Sequence, residues 1–177
     1  LMSSLVLVEQ GRLDAPAVAD LLRECVDDLR LVIDSLEPIG HDLVTLLASL
    51  RHRLGRRLES AGLDMQWEVQ DLPPLPWLAP PDALQVLRIV QEVLTNVLKH
   101  AQARQIRLAT TLQDSTVQVL IEDDGVGFDP GRSASGRGLR HLVQRATRLG
   151  GALVIDSAPG QGTRVALDLP LQRGLAT

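Results

Sequence analysis

The hydrophobic periodicity of this chain predicts an α+β fold: a two-layer α/β sandwich preceded by a helical hairpin. Three observations carry that reading. Up to His100 the apolar residues recur almost throughout at helical spacing of three and four. After His100 the period changes to two, in a pair of hairpins with one helical stretch between them. Strands and helices therefore fall into separate runs, which suits a layer of each better than a doubly wound sheet. The 177 residues, 45% hydrophobic and 23% charged, suffice for one core plus a helical appendage. With 2% aromatic residues and no Tyr, that core has to be built from Leu, Val, Ile and Ala.

Taken in order, Leu1 to Gln10 reads as the tail of a helix, and the chain as a piece of a longer protein. Gly11 to Asp14 makes a turn, with Asp14 placed to cap the next helix and Pro16 in its first turn. That helix runs to about Leu36. Val18, Leu21, Leu22, Cys25, Leu29, Val32 and Leu36 form a seam near heptad spacing, suited to a partner helix and a second chain. Glu37-Pro38 and Gly40 end it, which puts a first unit at 1–38 and a second at 39–177. A helix follows over Leu43 to Ala61, closed by Gly62. A short alternating strand covers Asp64 to Val69, and a proline-rich extended linker Leu72 to Pro81. Ala83 to His100 is a strongly amphipathic helix. Next come a hairpin (Ile106 to Leu112, Val117 to Ile121), a Gly- and Ser-rich loop from Asp129 to Gly138, and a helix over Leu139 to Leu149. Two last strands, Leu153 to Asp156 and Arg164 to Leu169, flank the turn Pro159-Gly160-Gln161-Gly162-Thr163.

Chemistry concentrates on the helix over 83–100. Arg88, Glu92, Asn96, Lys99 and His100 climb one edge of it in steps of three or four. Asn is a poor helix-interior residue because its amide competes for backbone hydrogen bonds, so Asn96 between Glu92 and Lys99 needs a reason. A carboxylate, an amide oxygen and an ammonium on one face could orient a nucleophile, ligate Mg²⁺ and hold a phosphate. Common nucleotide motifs fit poorly. Gly131 and Gly136 have P-loop spacing, but Arg137-Gly138 stands where Lys and Ser or Thr are required. The dinucleotide pattern G-x-G-x-x-G is absent. A net charge of −4 gives no case for nucleic acid. No apolar run is long enough for a membrane span, and the single Cys25 suits a reducing, cytoplasmic setting.

Four boxes in order resemble the nucleotide-binding domain of sensor histidine kinases, within the wider family shared with gyrase, Hsp90 and MutL ATPases. Gln91 to His100 (QEVLTNVLKH) is similar to the N box, and Asp123-Asp124-Gly125-Val126-Gly127 to the D-x-G-x-G box. Gly136-Arg137-Gly138-Leu139 is similar to the second glycine box, and Gly160-Gln161-Gly162-Thr163 to the terminal G-x-G-T. The resemblance spans about Pro74 to Pro170. Residues 1–38 resemble the dimerisation hairpin of the subfamily whose regulators are like the nitrate regulator, with Leu36-Glu37-Pro38 in place of its LRP signature.

The resemblance implies ATP and Mg²⁺ as ligands and a histidine-kinase-type ATP-binding fold. It implies that Asp123 accepts a hydrogen bond from the adenine amino group, that Gly125 and Gly127 shape the base site, and that Thr163 supports the ring. Asn96 would ligate Mg²⁺, and Lys99 and His100 would face the phosphates. Gly136, Arg137, Gly138 and Leu139 would hold phosphate oxygens, with 128–137 as a short lid, and Glu92 would be the catalytic residue acting on the nucleophile. The phosphoacceptor His is expected upstream of Leu1; His41-Asp42 only mimics its dipeptide, after the Pro38 break. A response regulator and a second copy of the chain are the implied partners, with neither nucleic acid nor membrane contacted by this piece. Alternatives are another ATPase or serine kinase of the same fold, such as an anti-sigma factor, or a non-catalytic docking module. The hairpin argues against the first, and the presence of Asn96, Asp123 and the glycines against the second.

Overall fold

The computed structural model describes residues 41–131 and 136–173, together with scattered helical positions at 18, 19, 22, 25, 26, 29, 32 and 33. The expected hairpin pairing, the Leu1 to Gln10 helix and the unit boundary at residue 38 lie outside the described residues. Helix α1 (Leu43–Ser60) leads to β1 (Asp64–Glu68), α2 (Pro80–Asn96) and a π-helical turn (Val97–Ala101). Strands β2 (Gln105–Gln113) and β3 (Thr116–Asp123), helix α3 (Gly136–Arg148), and strands β4 (Ala152–Ser157) and β5 (Thr163–Pro170) follow.

The five strands form one sheet in the order β1-β2-β3-β5-β4. β1 runs parallel to β2, across the α2 crossover, and every other pair is antiparallel. The alternating side chains of one face, Ile106, Leu108, Val117, Val119, Ile121, Val165, Leu167 and Leu169, enter a single core with Leu46, Leu50 and Leu58 of α1 and Val86, Leu87 and Val90 of α2. Leu142 and Ala146 of α3 complete it, so the expected two layers are present. Each fully buried Leu here contributes on the order of 2 kcal/mol through removal from water. The opposite face carries an ion-pair ladder, with Arg107 bonded to Glu68 and Glu122, and Arg164 also to Glu122. That face is mostly polar and positions nothing in the site.

Two details differ from the sequence reading. Pro80 and Pro81 belong to α2 and not to the linker before it, because proline in a helix's first turn sacrifices only an N–H that has no helical partner. The linker itself is pinned: Leu75 and Leu78 are fully buried, and the Leu75 N–H donates to the His41 carbonyl. His41 and Asp42 are structural. Asp42 caps α1 through the Val44 N–H at 2.8 Å and the Thr45 hydroxyl at 2.6 Å, and His41 Nδ1 lies 3.1 Å from the Leu78 carbonyl. No described helix is long and apolar enough to cross a membrane.

Candidate functional site

Three strand ends build the floor of the site. β3 ends at Asp123, β5 begins at Thr163 and β4 ends at Ser157; the register pairs Thr163 with Asp123 on one side and with Ser157 on the other. Because strand side chains alternate, these three share the helix-covered face, and the next row on that face is Ile121, Val165 and Ile155. A polar row thus borders an apolar one.

The facing wall comes from α2 and the π turn. Glu92, Val93, Asn96, Val97, His100 and Ala101 line one cavity of about 470 Å³ with Ile121, Asp123, Gly127, Phe128, Gly138, Leu139, Leu142, Ile155, Thr163 and Val165. That volume suits a nucleotide-sized ligand. The π turn decides which residues reach this wall. An α-helix would bring residues three and four beyond Asn96 to its face, whereas the wider i→i+5 turn advances the face to His100 and Ala101. Lys99, expected at the phosphates, is exposed and does not line the cavity. The turn is held from outside: the Val126 N–H donates to the Ala101 carbonyl at 2.8 Å. A Cβ on Gly125 would stand 2.3 Å from that same oxygen, so Gly125 is a packing requirement and is not on the cavity wall.

Burial raises the pKa of Asp123, with the Asp124 charge adding to the rise. The Gly125 N–H, donating to Asp123 Oδ1 at 2.9 Å, and Thr163 pull it down in part. Burial likewise raises the pKa of Glu92, opposed by the charges of Arg145 and His141. Asp124 is different: the N–H groups of Gln105 and Arg104 donate to its carboxylate and hold its pKa low, so it fastens the start of β2. Glu92 also touches the start of α3, because a Cβ on Gly138 would lie 3.2 Å from Glu92 Oε1.

Glu92, Asn96, His100, Asp123, Gly127, Gly138, Leu139 and Thr163 are therefore gathered around one space. Lys99 and Gly125 are not on its wall. Gly136 and Arg137 open α3, with their side chains outside the described residues, as is the middle of the expected 128–137 lid.

Residues 81–173 match the family described as histidine kinase-, DNA gyrase B- and HSP90-like ATPases, over more than half of the chain. The chain belongs to this ATPase family. Among its relatives, the signal transduction histidine-protein kinase/phosphatase UhpB of Salmonella typhimurium is 34% identical over 81% of this chain and 28% of its own length. The sensor histidine kinase LiaS of Bacillus subtilis is 26% identical over 87% of this chain and 42% of its own. The chain thus spans between about a quarter and two fifths of the length of these curated relatives. The fold is similar to the histidine kinase domain of the Erythrobacter litoralis blue-light activated kinase, with a TM-score of 0.68 at 22% identity over 96% of this chain and 81% of that one. The domain is thus an ATP-binding domain of this family, similar to those of sensor histidine kinases.

In this ATPase domain, sequence reasoning missed most of the apolar half of the cavity: Val93, Leu142, Ile121, Ile155 and Val165. A signal was available. Ile121 and Val165 stand two residues from Asp123 and Thr163 along their strands, so period two puts them on the same face. Ser157 was missed as well, since only its place in the register joins it to Thr163.

Proposed function

We propose that this domain binds Mg²⁺-ATP and serves as the catalytic part of a two-component sensor kinase. Phosphate would pass from ATP to a histidine of the parent protein and then to an aspartate of a response regulator. The reading rests on one observation: a carboxylate and a hydroxyl at the sheet's end, Asp123 and Thr163, face Glu92 and Asn96 of α2 across a single cavity with an apolar floor. A flat heteroaromatic ring suits the Ile121, Ile155 and Val165 row, and the ionised Asp123, an acceptor only, suits an exocyclic amino group. Asn96 offers one oxygen, the sparse protein share that Mg²⁺ takes when phosphates and water supply the rest; the ion's role is to neutralise charge on the transferred group. His100 on the wall and Lys99 outside it supply the cationic side, with Gly136, Arg137, Gly138 and Leu139 at the start of α3, where free N–H groups favour anions.

In the transfer step an imidazole nitrogen attacks the γ-phosphorus, the bond to the bridging oxygen breaks, ADP leaves, and the imidazole proton moves to Glu92. The raised pKa of Glu92 makes it a better proton acceptor than an ordinary carboxylate. The parent protein is read as a cytoplasmic-facing kinase acting as a homodimer. Leu22, Val26, Leu29 and Ile33, at helical positions spaced four, three and four, are exposed and apolar, which supports pairing through the N-terminal helix.

Calorimetry with a non-hydrolysable ATP analogue and Mg²⁺ tests the site. Asp123→Asn should lower affinity about tenfold or more, the worth of a hydrogen bond to a charged group. Because the substitution also removes a partly buried charge, the variant should melt no earlier than the parent. Unchanged affinity would overturn the assignment.

A further inference from the structure

Ser157 is buttoned into the base end of the cavity by three contacts. Its Oγ accepts the Phe128 N–H at 2.9 Å, donates to the Gly162 carbonyl at 2.8 Å, and lies 3.2 Å from Thr163 Oγ1. One hydroxyl therefore joins the exit of the Asp123–Gly127 segment, the 158–162 turn and the residue that bonds Asp123. The backbone here has little room to adjust: a Cβ on Gly127 would fall 2.1 Å from the Ala158 carbonyl, and one on Gly162 would fall 2.0 Å from the Asp123 carbonyl.

Proton bookkeeping gives the arrangement a direction. Ser157 has one hydroxyl proton, and the Gly162 carbonyl, which can only accept, takes it at 2.8 Å. The Asp123 carboxylate takes the Thr163 proton, so the 3.2 Å contact between the two hydroxyls is made by the Ser157 proton, shared between the Gly162 carbonyl and Thr163 Oγ1. The Thr163 hydroxyl is thus held between a donor, Ser157, and an acceptor, Asp123, in one row of the sheet, with its rotation restricted at both ends. Without Ser157 Oγ, one end is released, the turn loses its tie to Phe128, and the Thr163 hydroxyl can rotate off Asp123.

We infer that Ser157 is a positioning residue for purine recognition: it aligns Thr163 so that Asp123 stays an oriented acceptor for a ring amino group, and the discrimination between amino- and non-amino purines depends on it. This rests on the base-site reading above, but it concerns a residue that does not itself line the cavity.

The test is the ratio of affinities for Mg²⁺-ATP and for purine riboside triphosphate, which lacks the amino group, measured by calorimetry on the whole chain. The parent should prefer ATP. Ser157→Ala should shrink that preference by roughly fivefold to tenfold, the worth of one well-oriented hydrogen bond to a charged acceptor. Ser157→Thr, which keeps the hydroxyl, should retain it. A merely structural Ser157 would weaken both nucleotides equally and leave the ratio intact, which overturns the proposal while leaving the base site standing. If the parent itself shows no preference, both readings fall. Should Ser157→Ala not melt cooperatively, Ser157→Cys, with its weaker donor, is read by the same ratio.

Discussion

At Gly127 the backbone has a φ of +60°, and the space where a side chain would begin is filled by the Ala158 and Gly162 carbonyls. Strain and overlap act together there, so Gly127→Ala should cost about 3 kcal/mol or more in urea unfolding. Nucleotide affinity should fall with it, since the same segment carries Asp123. Asp123 links binding to pH with two opposite signs. Its pKa is raised in the folded chain, so the native state holds a proton to higher pH than the unfolded one does. The ligand-free fold therefore gains stability as pH falls through that raised value. ATP binding needs the ionised acceptor and should weaken over the same window, at a pH above the ordinary aspartate range. Affinity measured from pH 7 downward, against thermal melts of the free chain, checks both signs; parallel trends would sink the assignment.

Between elements, Arg173 ties three of them together beyond the cavity. Its guanidinium bonds the Leu149 carbonyl after α3 at 2.8 Å and Asp82 at the start of α2 at 3.1 Å, and stacks 4.0 Å over the Trp77 ring. Trp77 in turn donates to the Pro170 carbonyl at the end of β5 at 2.8 Å. Arg173→Ala should lower stability by about 1–2 kcal/mol through lost stacking and a carbonyl left without its donor. Because none of these groups lines the cavity, ATP affinity should be unchanged. A large loss of affinity in this variant would mean that the α2–α3 arrangement is coupled to the site more tightly than the contacts describe. The π turn is the opposite case: a local irregularity that decides which side chains meet the ligand.

Across the whole molecule, we expect the domain to bind ATP without supplying the histidine that receives the phosphate. His41 is engaged with the Leu78 carbonyl, His52 and His141 are exposed on helix surfaces, and His100 lines the nucleotide cavity itself. Incubated with labelled ATP, the 177-residue chain should bind nucleotide without forming phosphohistidine. Base-stable label that disappears in His41→Ala would overturn this account. The order of elements and the helix-over-sheet layering were legible in the sequence, whereas Asp123, Gly127 and Thr163, which line the cavity with Asn96, were pointed to by the resemblance of the four boxes. Period, capping residues and glycine spacing are local properties, and the elements they mark are set locally. Lys99 lies off the cavity wall, and the apolar wall and Ser157 were missed, because their positions depend on how distant segments meet.

Local sequence determined where helices and strands run and which of their faces are apolar, and the resemblance of the four boxes implied that a carboxylate at one strand's end works with an amide on a helix. Only the tertiary structure decided that β5 inserts between β3 and β4, which sets Thr163 between Asp123 and Ser157. It also decided that Gly125 docks on Ala101 beside a widened turn that brings Ala101, instead of Lys99, to the wall with His100. The physical reason is the same in both cases. Sheet order and a helical turn's width are settled by contacts between residues far apart in the chain, where carbonyls find donors and backbones find room, and no short window of sequence contains both sides of such a contact.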